Sequence, residues 1–322
     1  MTFDGIGEPG LDVLSLYLGH DGQWAKQECQ VADVFQQAIA LGCARVKLII
    51  LGKSVPLSLV MAISSGASTC GLGVDVKASL DYCRANAAFI EALQYGTAEI
   101  TADGNGDCIS ALLSLNIPND RDVFVTRCYT HFDQDHVVKL VQCACEYASV
   151  RVKLLARCHS TTAACGSSMS VDEFIRFAQL VSLLSRQWNG RVWGLLPWVL
   201  LPQADIAISR KSCQFKNQLS IGPRGEISLC GLFKNGMILG MLPKDRIDHV
   251  WTRSPELGAL RDSWPSHISG ICERCVFRRY CANLCPAYTW TVFGSYAKSF
   301  PPCEQLARAG AFPREYLVRE VE

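Results

Sequence analysis

The chain has no surplus of either charge. Its 31 Lys and Arg stand against 30 Asp and Glu, for a formal net charge of +1. That balance argues against a dedicated nucleic-acid binder, which carries a strong basic excess. No stretch approaches the ~18 uninterrupted apolar residues of a membrane span. The opening MTFDGIGEPGLDVLSLYLG lacks a basic start followed by an apolar run, so no signal peptide is expected and the chain reads as cytoplasmic. A GxGxxG after the first strand and a GxxxxGK[ST] phosphate loop are both missing, which counts against simple nucleotide folds. Disorder is excluded as well: among 322 residues, 49% are hydrophobic and 19% charged, enough to build a sizeable core.

Cysteine is plentiful. There are 17, an odd number. In a reducing compartment, clustered thiols point to metals or redox chemistry rather than to structural disulfides. Ten are scattered between Cys29 and Cys165, mostly singly in apolar segments, and seven lie in tight groups between Cys213 and Cys303.

The first ~200 residues alternate short β-rich runs with helical patterns. Strands are expected at 13–19, 45–52, 71–76, 98–104, 122–129, 151–158 and 191–198. Helices are expected at 31–42, 57–66, 80–96, near 107–115, at 133–149 and at 170–188. Several helices stop at Gly, and Ser170-x-x-Glu173 reads as a capping box. Serial βα units imply a parallel sheet, doubly wound or curled into a full or partial barrel, with its functional rim at the C-terminal strand ends. After about residue 205 the alternation gives way to Gly, Pro, Cys and turn signals. We expect a domain boundary there, between 1–205 and 206–322, and metal coordination as the source of stability beyond it.

The cysteines of the second part have a definite spacing. Cys213-x11-Gly225-x4-Cys230 is followed by Cys272-x2-Cys275-x5-Cys281-x3-Cys285 and then by Cys303. A C-x2-C turn aims two sulfurs and free backbone amides at one centre. PRGE, 223–226, between two β-like runs reads as a hairpin turn that folds Cys230 back beside Cys213. Seven thiolates exceed one zinc tetrahedron and nearly suffice for two iron–sulfur clusters. Zinc on the same thiols stays open at this point, since C-x2-C is also zinc spacing.

This spacing resembles the SPASM auxiliary-cluster domain of radical S-adenosylmethionine enzymes, maturases of peptides, sulfatases and cofactors. The resemblance covers all seven cysteines and Gly225, and the upstream βα alternation extends it over nearly the whole chain. It implies an α/β fold, a partial (β/α)6 barrel followed by a small Cys-rich domain. It also implies one [4Fe–4S] cluster on Cys272, Cys275, Cys281 and Cys303, and a second on Cys213, Cys230 and Cys285. Many members have an eighth cysteine just before the first. Here the nearest upstream is Cys165, so the second cluster is expected to have an open iron, a non-cysteine ligand or partial occupancy.

The family's defining C-x3-C-x2-C, which belongs in the loop after the first strand, occurs nowhere in the chain. The corresponding segment, LYLGHDGQWAKQECQVADVF, holds only Cys29, and one thiolate does not replace three. His20, Asp21 and Glu28 make a poor substitute set. The family's GGEP turn would fall at 51–57, where Gly52 and Pro56 remain but Lys53 and Ser54 stand in place of the acid. Cleavage of S-adenosylmethionine is therefore not expected.

Other candidates have plainer readings. Cys143 and Cys145 on one helix point to different faces and read as core, as do Cys43, Cys70, Cys83, Cys108 and Cys128. Cys158, His159 and Cys165 follow a strand on the expected functional rim. THFDQDH (His131, Asp133, Asp135, His136) reads as a capped helix start. Arg274, Arg278 and Arg279 would offset the charge of a thiolate-ligated cluster. The expectation is an accessory, non-catalytic iron–sulfur protein. It would relay electrons, or bind a precursor peptide or a true radical enzyme, in peptide or cofactor maturation. Two further readings remain: an enzyme using an open auxiliary iron for non-radical chemistry, and a binding module stabilised by zinc or iron.

Overall fold

Polar and apolar residues alternate along VLSLYL, RVKLII, GVDVKAS and AEIT, so each of these strands has one oily and one polar face. The computed structural model describes residues 10–19, 28–86, 89, 96–102, 108–115, 117, 122–156, 169–202, 215–231, 233, 237–263, 267–278, 281 and 285–318, with backbone only for 28, 29, 215 and 263. Among these, strand and helix follow each other six times. The order is β1 (Val13–Leu18), α1 (Glu28–Ala40), β2 (Arg45–Ile50), α2 (Leu57–Thr69), β3 (Gly73–Ser79), α3 (Leu80–Ala85), β4 (Ala98–Thr101), α4 (Cys108–Leu113), β5 (Val123–Tyr129), α5 (Gln134–Cys145), β6 (Val150–Ala156) and α6 (Val171–Gln187). A seventh strand, β7 (Val192–Gly194), closes the series. The helix expected at 57–66 runs on to Thr69, and most of the expected helix beyond Ala85 lies outside the described residues.

The chain divides into two compact units. The first comprises Met1–Thr101, Leu115–Val123 and Gln214–Asp262. It adds β8 (Gln218–Ile221), β9 (Glu226–Ser228), β10 (Ile238–Met241), α7 (Ile247–Arg253) and α8 (Pro255–Ser263). Its strands lie in the order β10-β9-β8-β1-β2-β3-β4. β8, β1, β2, β3 and β4 run parallel, whereas β8–β9 and β9–β10 are antiparallel. The PRGE turn makes the expected hairpin, but β8 also lies beside β1, with Ser15 opposite Ser220. Leu14, Leu16, Val46, Leu48, Val74, Val76 and Ile100 are buried on the apolar face. α2 packs against β2 and β3, with Val60, Ile63 and Ala67 buried. In α1 the buried side chains are Val31, Val34, Phe35 and Ala38, one stripe at helical spacing. Each such fully buried large side chain contributes about 1.5–3 kcal/mol.

The second unit comprises Ala102–Ser114, Phe124–Cys213 and Ser263–Glu322. Its strands lie in the order β5-β6-β7, with β6 and β7 parallel. The capping box of α6 is present, with Ser170 and Glu173 each satisfying the other's backbone amide. Phe174, Phe177, Ala178, Val181 and Leu184 form its buried stripe. Arg191 gathers the carbonyls that end α5 and start β6, donating to Cys145 O (3.2 Å), Tyr147 O and Val150 O. The tail adds α9 (Pro286–Phe293) and α10 (Pro301–Arg308) and little other regular structure. Two isolated bridges, Ser269 with Lys298 and Cys275 with Leu317, tie its segments together. Among the described residues, no helix is long and apolar enough to cross a membrane.

Candidate functional site

The tail segment positions its cysteines by short-range backbone bonds. Cys272 sits in the tight turn Ile271–Arg274, whose chain returns so that Cys275 N donates to Cys272 O at 3.3 Å. Cys281 N donates to Phe277 O at 2.7 Å. The turn is pinned from two sides. Cys272 N donates to Ser299 Oγ at 3.0 Å, and Val276 N donates to Tyr316 O at 2.9 Å. Phe277 packs its ring 5.0 Å from Tyr316 and 5.9 Å from Trp198. Gly270, at φ 87°, lets the turn approach the 299–304 segment. A Cβ there would stand 2.5 Å from Ser299 Oγ.

Cys303, in the first turn of α10, brings the fourth sulfur. Cys272 and Cys303 are both buried, and Cys303 donates a side-chain hydrogen bond to Cys272. That bond, then burial, then negative charge at Cys272, Cys281 and Cys275 hold the Cys303 thiol well above the ordinary cysteine range. Cys272 lies below that range: the same hydrogen bond favours its thiolate, against the opposing effect of burial. Burial raises Cys275. The other three sulfurs assigned to one cluster are thus within electrostatic reach of Cys303. They are not a closed cage: among the described residues, no three Cys, His, Asp or Glu side chains converge as metal ligands. The donor set still fits an iron–sulfur group in kind. Adjacent thiolates in a dry interior repel, and the hydrogen bond from Cys303 to Cys272 keeps one of the two thiols protonated over a wider pH range.

Of the second set, Cys213 lies outside the described residues. Cys285 caps α9, its sulfur accepting from Tyr288 N at 3.4 Å. Burial raises its pKa, and the Lys153 ammonium opposes that rise. Cys230 follows β9 in the first unit, where the Tyr17 hydroxyl bonds the neighbouring Gly231 backbone. Burial, then the Cys230 charge, push the Tyr17 phenol far up. Gly231 lies so close to the Tyr17 ring that any side chain there would collide with it.

On the polar face of the first unit, sequence alone pointed only to VDVKASLD, 74–81, as a stretch at a strand end that could line a pocket, with no ligand identified. In register across adjacent strands stand Ser220, Ser15, Lys47 and Asp75, and one row further along Tyr17, Ile49, Lys77 and Glu99. Registered residues of parallel strands point to the same side. Lys47 donates to one Glu99 oxygen at 2.7 Å and Lys77 to the other at 2.8 Å. Asp75 takes Arg45 at 2.6 Å together with the amide and hydroxyl of Thr97. The signal was there in the alternation: strands buried on both faces carry few charges, yet each of β2, β3 and β4 carries at least one.

Elsewhere the plain readings mostly hold. Cys43, Cys83, Cys143 and Cys145 are buried, and Asp133 caps α5 by accepting from His136 N at 2.9 Å. Cys70 and Cys128 are half-buried. Cys108 is buried, and it also meets His136 Nε2 at 3.5 Å while His136 Nδ1 meets the Tyr129 hydroxyl at 3.1 Å. His20, Asp21, Cys158, His159, Cys165 and Arg279 lie outside the described residues, as do the side chains of Glu28 and Cys29.

No protein-family model matches the chain, and no curated protein matches it. Solved structures do. The crystal structure of Streptococcus suis SuiB matches with a TM-score of 0.58 and 12% identity, over 79% of this chain and 68% of that one. The crystal structure of Streptococcus suis SuiB bound to S-adenosylmethionine matches with a TM-score of 0.63 and 12% identity, over 90% of this chain and 76% of that one. At such identity the likeness is one of fold alone: a mixed α/β chain with a mostly parallel sheet.

Proposed function

We propose that the protein is an iron–sulfur protein built on the radical S-adenosylmethionine/SPASM fold, acting beside a true radical enzyme in peptide or cofactor maturation rather than cleaving S-adenosylmethionine itself. The observation that carries this reading is the thiol pair Cys272–Cys303 with Cys275 and Cys281 within electrostatic reach of Cys303, beside a first βα segment, 16–35, whose only cysteine, Cys29, falls in α1.

Cys272, Cys275, Cys281 and Cys303 would hold a [4Fe–4S] cluster, which supplies one-electron transfer when bound. Burial of Cys272 and Cys303 keeps water from that centre. Arg278, donating to Glu273 O at 3.3 Å, holds a cation on the cysteine loop, where it offsets the charge of four thiolates. Cys213, Cys230 and Cys285 would hold the second cluster. SuiB carries S-adenosylmethionine in one of its structures. Here we propose that the segment after β1, with Cys29 in α1 as its single thiol, does not assemble the cluster that such cleavage requires.

Anaerobic purification with iron, sulfide and zinc quantified tests this reading. About four irons per chain support one cluster and about eight support two. Stoichiometric zinc without sulfide overturns the iron assignment. Reductant-dependent 5′-deoxyadenosine from the same sample overturns the non-catalytic assignment.

A further inference from the structure

The polar face of β1–β4 in the first unit carries more cation than anion. Lys47 and Lys77 bind the two oxygens of one carboxylate, Glu99. Glu99 neutralises one of the two ammonium groups. The neighbouring pair does not supply the missing anion, because Asp75 is spent on Arg45, at 2.6 Å, and on Thr97. Side-chain exposures are 31% for Lys47, 29% for Lys77 and 11% for Glu99, so bulk water screens the excess charge only in part. A second observation comes from the same face. Ser220 is 1% exposed, and its hydroxyl finds no partner among the described residues. It shares a register row with Ser15 and Lys47, two strand spacings from Lys47, or about 10 Å of backbone.

We propose that this face is a binding site for a small carboxylate ligand, its carboxylate held by Lys47 and Lys77 and a polar group at its far end met by the Ser220 hydroxyl. Carboxylate fits better than phosphate. Among the described residues the face has one unmatched positive charge, and the guanidinium that would grip a phosphate bidentately, Arg45, is already engaged. The proposal rests on strand register and ion pairing within one unit, and iron at the tail is not required for it.

The test is titration of the full-length protein with succinate, followed by saturation-transfer NMR, with inorganic phosphate as a separate arm. Wild type takes up succinate saturably. K47M and K77M each weaken it tenfold or more, and K53M, at an exposed lysine, leaves it unchanged. E99Q is the decisive variant. Removing the shared carboxylate frees both ammonium groups, so affinity rises several-fold even as the variant loses an internal ion pair. S220A, which deletes an unsatisfied hydroxyl and so spares stability, weakens succinate several-fold. Absence of saturable uptake by wild type, or loss of uptake in a folded E99Q, overturns the site. Tighter phosphate than succinate overturns the carboxylate assignment, and unchanged uptake in S220A overturns the role of that hydroxyl.

Discussion

Cys303, on α10, donates its thiol hydrogen to Cys272, in the turn Ile271–Arg274. The two sulfurs are hydrogen-bonded in a buried setting, and their acidities split in opposite directions. Cys272 ionises more easily than an ordinary cysteine and Cys303 much less easily. In metal-free protein, thiolate absorbance will therefore show one step below the free-cysteine range and one well above it. The C303A variant weakens the low step, because Cys272 then loses the hydrogen bond that most favours its thiolate while burial still opposes it. A single step at the ordinary value would mean that the thiols do not pair.

The same pair makes a prediction about the holoprotein. C303A removes one of four ligands and is expected to lower iron by about four per chain, whereas C43A, at a buried cysteine of the first unit, leaves iron unchanged. Equal iron in both variants would place the metal elsewhere.

Gly231 and the Tyr17 ring occupy adjoining space with no room for a methyl group. G231A is expected to cost about 1–3 kcal/mol by overpacking. In a Y17A background the same change should cost less than half as much, since the obstructing ring is gone. Chemical denaturation of the four proteins measures the coupling, and additive costs would contradict the close approach.

Cys83 is 1% exposed, and burial pushes its thiol from 9.0 up to about 12. The sign follows from linkage. The folded chain keeps this proton where the unfolded chain has lost it. The contribution is complete below pH 9 and disappears as the pH rises through about 12. Within that window this one group costs roughly 1.4 kcal/mol of stability per pH unit. Urea titrations at increasing alkaline pH should show a shallower decline for C83A than for wild type, and parallel declines would rule out a thiol held protonated by burial.

Much of this chain was legible beforehand, and the exceptions share a cause. The βα series, the capping box at Ser170 and Glu173, the hairpin at Pro223–Glu226 and the cap at Asp133 all follow from residues a few positions apart. Local periodicity and capping chemistry set such features, and they survive being read one segment at a time. The Lys47–Glu99–Lys77 triad joins three strands. Each strand, taken singly, shows one or two charges and names no partner for them. The meeting of Cys108 with His136 and Tyr129 was missed for the same reason.

Spacing and composition alone established the order of elements, the clustering of thiols at 272–303 and the shortage of them at 19–30. Each of these is a property of neighbouring residues along a chain. Folding in three dimensions chose which sulfur hydrogen-bonds to which, laid β8 against β1, and set two lysines on one carboxylate. Register and burial bring together groups far apart in sequence, and their energies depend on distances that no local pattern encodes.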